Sequence, residues 1–157
     1  MRPVAPDRLE GVLALNNAHA AELSLLDHDR LAGLVRQALW AAQVGDVDGF
    51  VLLLDETATY DSPHFCWFKR RFGRFAYVDR IVVAPAARGC GLARRLYTGA
   101  FEAASAVGQR VIAAEVNRIP PNPASDAFHG VLGFKEVGQA SIYGGTRTVR
   151  YLTRDLP

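Results

Sequence analysis

The sequence of 157 residues is half hydrophobic, carries 22% charged residues and has a formal net charge of +2. That length suits one domain with its own core, and the mild charge argues against a nucleic-acid partner held by electrostatics. Cys66 and Cys90 show neither metal-ligand spacing nor a disulfide framework, so a stapled secreted scaffold and a metal module are both disfavoured, and no metal is expected. Residues 1–7 contain no apolar signal core, and no run approaches the roughly 18 apolar residues of a membrane span. A cytoplasmic protein that does not bind membranes is the expectation.

Taken in chain order, Pro3, Pro6 and Asp7 precede Leu9, Val12, Leu13, Leu15 and Ala18, an apolar pattern of helical period with Asp7 as a candidate N-cap. Asn16, Asn17 and His19 stand at its far end. They read either as a polar helix end in solvent or as part of a substrate site. Asp27 and its neighbours break the chain and cap a second short helix with Leu31, Leu34, Val35 and Ala38. Residues 38–44 and 50–55 read as strands joined by a hairpin turn, and the unbroken apolar run at 50–54 needs cover on both faces of its sheet. Residues 56–73 are the least regular stretch. Tyr60, Phe65, Trp67, Phe68 and Phe72 argue against disorder there and leave two readings, a lid over an apolar patch or a wall of an acceptor pocket.

Residues 77–83 are rich in β-branched and aromatic side chains and form a strand that Pro85 ends. Leu92, Leu96, Gly99 and Ala100 then recur at helical spacing, in a helix expected to run to about residue 107 with Gly108 as its C-terminal cap. Residues 110–116 are the next strand, residues 117–123 a proline-stiffened connector, residues 125–132 a short helix closed by Gly133, and residues 134–142 and 146–152 two strands around a turn at Gly144 and Gly145. The order of elements gives an α+β or mixed-sheet domain.

The strand–turn–helix at residues 77–97 carries the chemistry. Its turn reads Arg88-Gly89-Cys90-Gly91-Leu92-Ala93. A strand feeding a helix through glycines leaves backbone N–H groups at the positive end of a helix dipole, a ready anion site. No Gly-Lys-Ser/Thr follows, and Arg94 stands where a dinucleotide fingerprint needs its third glycine. On these residues alone a phosphate cradle and an ordinary glycine-started helix with solvated arginines both remain open.

The turn closely resembles the acetyl-coenzyme A signature of the GNAT N-acetyltransferase superfamily, Arg/Gln-x-x-Gly-x-Gly/Ala, preceded here by Ile81-Val82-Val83-Ala84-Pro85. Downstream, Asn122 with Ser125, Phe128, His129, Gly133 and Phe134 is similar to that family's second signature. The resemblance implies a mostly antiparallel mixed sheet of about six or seven strands, helices on both faces and a splayed central strand pair, the acyl-CoA N-acyltransferase fold. It implies acetyl-CoA as cofactor, held by the backbone of Arg88, Gly89, Cys90, Gly91, Leu92, Ala93 and Arg94, by strand pairing along Ile81, Val82 and Val83, and by Asn122, Ser125 and Phe128. The reaction it implies is direct transfer of an acetyl group to the primary amine of a small acceptor in a ternary complex. A peptide or protein acceptor and a non-catalytic acyl-CoA-binding module are the alternatives, and the oligomeric state stays open between monomer and homodimer.

Direct transfer benefits from a base for the amine and a proton donor for the departing thiolate. Tyr77, Asp79, Ile81 and Val83 share one strand face if no bulge intervenes, and the resemblance implies that a base lies on this strand, which makes Asp79 the first candidate and Glu115 on the next strand the second. A salt bridge with Arg80 is the competing reading of Asp79. His129 stands where the family usually has its donor Tyr, with Tyr97 and Tyr143 as substitutes. Asn16, Asn17, Tyr60, Trp67 and Tyr77 are the candidate acceptor contacts. Cys90 is a poor candidate for a covalent acetyl carrier, because no base–orienter pair accompanies it.

Overall fold

A seven-stranded sheet in the order β1-β2-β3-β4-β5-β7-β6 forms the middle of the molecule, and only the β4–β5 pair is parallel. The computed structural model describes residues 1–157. Its strands are β1 (Arg2–Pro3), β2 (Trp40–Val44), β3 (Gly49–Asp55), β4 (Ala76–Val83), β5 (Val111–Ile119), β6 (Lys135–Ile142) and β7 (Arg147–Asp155). The helices are α1 (Leu9–Asn17), α2 (His28–Gln37), α3 (Pro63–Lys69), α4 (Leu92–Ala106) and α5 (Pro123–Val131). The expected α+β architecture with helices on both faces is the one observed.

The apolar run of β3 explains the layering. Phe50, Val51, Leu52, Leu53 and Leu54 are all fully buried, because alternate residues face two different cores. Phe50, Leu52 and Leu54 join Val12, Leu31, Leu34, Phe65 and Phe68 beneath α1, α2 and α3. Val51 and Leu53 join Leu96, Tyr97, Ala100 and Ala104 of α4 on the other side. Gly99 in mid-helix lets α4 come close: a Cβ there would stand 2.5 Å from the Trp40 ring, so close packing offsets the ~1 kcal/mol that glycine costs a helix. No helix is long and apolar enough to cross a membrane.

Three local expectations need correcting. Asp7 does not cap α1; it lies in a short 3-10 turn whose cap is Ala5, and its carboxylate sits 3.5 Å from Arg8. The irregular stretch contains a helix, α3, started by Pro63. Seven residues are too few to be helical alone, and α3 is held by Phe65 and Phe68, each fully buried and each worth about 1.5–3 kcal/mol of transfer free energy.

The third correction concerns β4. Leu52 pairs with Arg80 but Leu53 pairs with Val78, so Asp79 is the extra residue of a β-bulge. The bulge shifts the alternation by one. Tyr77 and Val82 therefore face the core under α1–α3, whereas Ile81 and Val83 pack toward α4, and the common face expected for Tyr77, Asp79, Ile81 and Val83 does not exist.

Candidate active site

β4 and β5 pair only at Ala76 with Ile112 and at Tyr77 with Ala113. Beyond those two residue pairs the strands splay, so β4 from Val78 onward and β5 from Ala114 onward each present an unpaired inner edge. A cavity of about 380 Å³ occupies the opening and is lined from β4 by Asp79, Arg80 and Ile81 and from β5 by Glu115. Helices α4 and α5 contribute Tyr97, Asn122, Ser125 and His129 to its walls. Tyr60, Tyr143 and Arg147 come from loops and a strand end at its other side, and His64 from α3.

The turn leading into α4 lies at the outer end of β4. Gly89 and Gly91 adopt φ of +79° and +74°, and neither has a neighbour within 4 Å of where a Cβ would be. Their requirement for glycine is therefore conformational rather than steric. The backbone N–H groups of residues 89–94 find no backbone acceptor; the first N–H of the run to do so is that of Arg95, on Gly91 O at 3.1 Å. Arg88 is committed within the protein: its Nε donates to Val83 O at 3.4 Å and its Nη2 donates to His19 Nε2 at 3.1 Å. Cys90 is exposed, with Sγ 3.8 Å from Arg88 O.

At the cavity floor Glu115 accepts a hydrogen bond from the Tyr77 hydroxyl at 2.7 Å. Burial drives its pKa up to about 8 against the opposing pull of that bond, with the Asp79 charge adding to the rise. Tyr77 is fully buried, so it stands behind the wall as the support of Glu115. Asp79 has a different environment: its Oδ2 accepts from Arg80 Nε at 2.6 Å, and both side chains are 3% exposed. Arg80 Nη1 donates in turn to Asn16 Oδ1 at 2.8 Å.

Asn16 and Asn17 lie outside the cavity lining and hold backbone groups of the neighbouring loop. Asn16 Nδ2 donates to Ser24 O at 3.1 Å, while Asn17 donates to Leu26 O at 2.9 Å and accepts from Leu26 N at 3.0 Å. Together they fix the 18–27 loop that carries Ser24 into the cavity. Trp67 also lies outside the lining; it stacks on Tyr151 with centroids 4.2 Å apart and fills the space at Gly138, where a Cβ would stand 2.5 Å from the indole. Tyr60 is in the lining, and burial, reinforced by Asp79, pushes its hydroxyl pKa up.

The opposite wall holds a hydrogen-bonded chain. His129 is buried, its Nδ1 is 2.8 Å from the Ser125 carbonyl and its Nε2 is 2.6 Å from the Tyr97 hydroxyl. A carbonyl only accepts, so Nδ1 carries the proton and Nε2 accepts from Tyr97. Burial lowers the His129 pKa and raises that of Tyr97, so both are neutral at pH 7. Asn122 caps α5 by accepting from Ser125 N at 3.2 Å, and Phe128 packs 5.7 Å from the Tyr97 ring.

A glycine turn with free N–H groups, a slot between splayed strands and a carboxyl at its floor thus border the gap between β4 and β5. The family model described as "Acetyltransferase (GNAT) family" matches residues 15–134. The chain belongs to the GNAT acetyltransferase family. It is an acyltransferase by that membership, and solved GNAT structures share its fold from end to end. Ard1 from Thermoplasma volcanium superposes with a TM-score of 0.77 at 16% identity, covering 99% of this chain and 96% of that one. YncA from Salmonella typhimurium, solved with its cofactor acetyl-CoA, gives 0.71 at 23% identity over 99% and 92% of the two chains. Ribosomal-protein-alanine N-acetyltransferase from Brucella melitensis gives 0.71 at 20% identity over 99% and 98%. The comparison with curated proteins finds no match.

Within this GNAT chain, several lining residues escaped the sequence reading. His64 arrives from α3, where burial lowers its pKa to about 4 and its Nδ1 meets the Tyr151 hydroxyl at 3.1 Å. Arg147 arrives from the start of β7 and donates to Ala21 O at 2.9 Å. A histidine in an aromatic stretch was the only signal for the first, and nothing in the local sequence marks the second.

Proposed function

We propose that the protein transfers the acetyl group of acetyl-CoA to the primary amine of a small acceptor, by direct attack within a ternary complex. The residues fit the cofactor. The free N–H groups of residues 89–94, with the left-handed glycines opening the turn, suit a diphosphate. The unpaired edge of β4 beyond Tyr77 offers amide partners to a pantetheine arm in the manner of an added strand, beside Asn122 and Ser125. When bound, acetyl-CoA supplies an activated acetyl thioester and departs as the thiol.

Glu115 is the base in this reading. Asp79 is tied to Arg80 in a buried pair, and protonating it would leave that guanidinium without its counter-charge. Glu115 has no such partner. Its carboxyl, titrating near 8, is better matched to an ammonium group than an ordinary carboxylate is. The Tyr77 hydroxyl bonded to Oε2 holds it in place. Tyr97 is the proton donor on the leaving side, oriented at rest by His129 Nε2; rotation about its C–O bond turns the same proton toward the cavity. His129 does not itself supply a proton, since its single N–H is spent on Ser125 O.

The observation that favours a small acceptor is the contact from Arg147 Nη2 to Ala21 O, which straps the β6–β7 turn to the α1–α2 loop beside the cavity. An extended peptide would have to displace it. The test is thiol release from acetyl-CoA against a library of free amines and a matched set of peptides. Release with small amines at rates above those for peptides supports the reading. Tight binding of acetyl-CoA with no release for any amine refutes it in favour of a binding module, and a preference for peptides refutes the acceptor class.

A further inference from the structure

The acceptor side of the cavity contains more cationic hydrogen-bond donors than the protein's own carboxylates occupy. Arg30 is matched by Asp61 at 2.7 Å and Arg80 Nε by Asp79 at 2.6 Å. Arg147 lines the same cavity and has no carboxylate within salt-bridge distance; its one partner is the Ala21 carbonyl. Arg80 is only partly satisfied. It is 4% exposed, and its Nη2 reaches only Ser24 Oγ and Tyr60 OH, each at 3.5 Å, the outer limit of a hydrogen bond. A buried guanidinium normally has its fork filled, because charge-assisted bonds are the strong ones and an unfilled donor is costly. The remaining acids of the lining are Glu115, which is bonded to Tyr77, and Glu22, which is exposed.

We infer that the acceptor is an amino carboxylate, whose amine meets Glu115 while its carboxylate is held by Arg80 Nη2 and Arg147. This rests on the proposed transfer to a small amine and narrows its substrate class. A polyamine would set a second ammonium against Arg80 and Arg147, a like-charge contact. A peptide N-terminus or an amino amide offers only a neutral carbonyl, which forms bonds about half as strong as those of a carboxylate.

The test is a matched panel: the twenty common L-amino acids, β-alanine and γ-aminobutyrate, each as free acid and as carboxamide, assayed by thiol release with saturating acetyl-CoA. For the best acceptor the acid is expected to exceed its amide at least tenfold in kcat/KM, mostly through KM. In Arg147→Gln that acid-over-amide ratio should fall at least tenfold, and Arg147→Lys should restore part of it. Amides or peptides that match or beat the acids would overturn the inference while leaving the transfer reaction standing. Should no amine turn over, the transfer reading fails, and calorimetry with CoA present then decides this one: acids binding at least tenfold tighter than amides uphold the carboxylate site, and equal binding overturns it.

Discussion

Replacing Glu115 by glutamine removes the proposed base while keeping a carbonyl that can accept the Tyr77 hydroxyl bond. With a pKa of about 8, Glu115 would be ionised in about a tenth of molecules at pH 7 and about nine-tenths at pH 9. The wild-type kcat/KM should therefore climb almost tenfold over that interval, with a midpoint near 8. Glu115→Gln should lose about a hundredfold or more, the usual contribution of a positioned base, and its residual profile should follow only the ionisation of the acceptor amine. Thiol release across pH 6–10, with two acceptors whose amines differ in pKa, separates the two titrations. A variant within threefold of wild type that keeps the midpoint near 8 would refute the assignment. Stability supplies a second readout. The carboxyl's folded pKa lies above its ordinary 4.5, so the folded state holds the proton more tightly, and the stability tied to it is present below about pH 4.5 and lost as pH rises toward 8. Glu115→Gln should thus gain Tm relative to wild type at pH 9 compared with pH 5.

Other substitutions test neighbouring parts of the site. Tyr97→Phe should lower kcat about tenfold, a modest general-acid effect because a thiolate leaves readily, with little change in KM for acetyl-CoA; an unchanged kcat would remove Tyr97 as donor. Gly91→Ala forces a side chain onto φ +74° at a cost of ~1–2 kcal/mol, and should raise KM for acetyl-CoA several-fold as the turn relaxes, which initial-rate kinetics would show. Asp79→Asn leaves the Arg80 guanidinium buried without its counter-charge, and denaturant titration should show a loss of about 3–5 kcal/mol. Because the Asp79 charge adds to the rise of the Glu115 pKa, the variant's pH–rate midpoint should move below that of wild type while the rising limb persists, and loss of that limb would return Asp79 to the role of base.

Those features that depend on short-range pattern were legible in the chain. The glycines at 89 and 91, the apolar period of α4 and the unbroken run in β3 each specify a local conformation, and their order along the chain specified an α+β sheet with a glycine turn at the head of α4. What was illegible depends on partners distant in sequence. The bulge at Asp79 is a property of the register between β3 and β4, and no residue type announces it, so the strand faces were assigned one residue out. Asn16 looks like a polar helix end until Arg80, far along the chain, is seen to donate to it. His129 fills a tyrosine's place with Tyr97 and Tyr143 as substitutes, and the chain alone does not show that Tyr97 reaches that corner from α4 and donates to its Nε2. Trp67 has the character of a pocket residue, yet the absence of a side chain at Gly138 draws it onto β6 and β7.

The central claim is that the gap between β4 and β5 receives the thioester, with Glu115 on one wall and Tyr97 on the other. A crystal structure of the protein with acetyl-CoA tests it most directly. The account predicts the diphosphate on the N–H groups of residues 89–94, the pantetheine arm along β4 beyond Tyr77, and the thioester in the cavity between Glu115 and Tyr97. Density for the cofactor at any other surface, or a thioester screened from Glu115 with the β4 edge left empty, would contradict it.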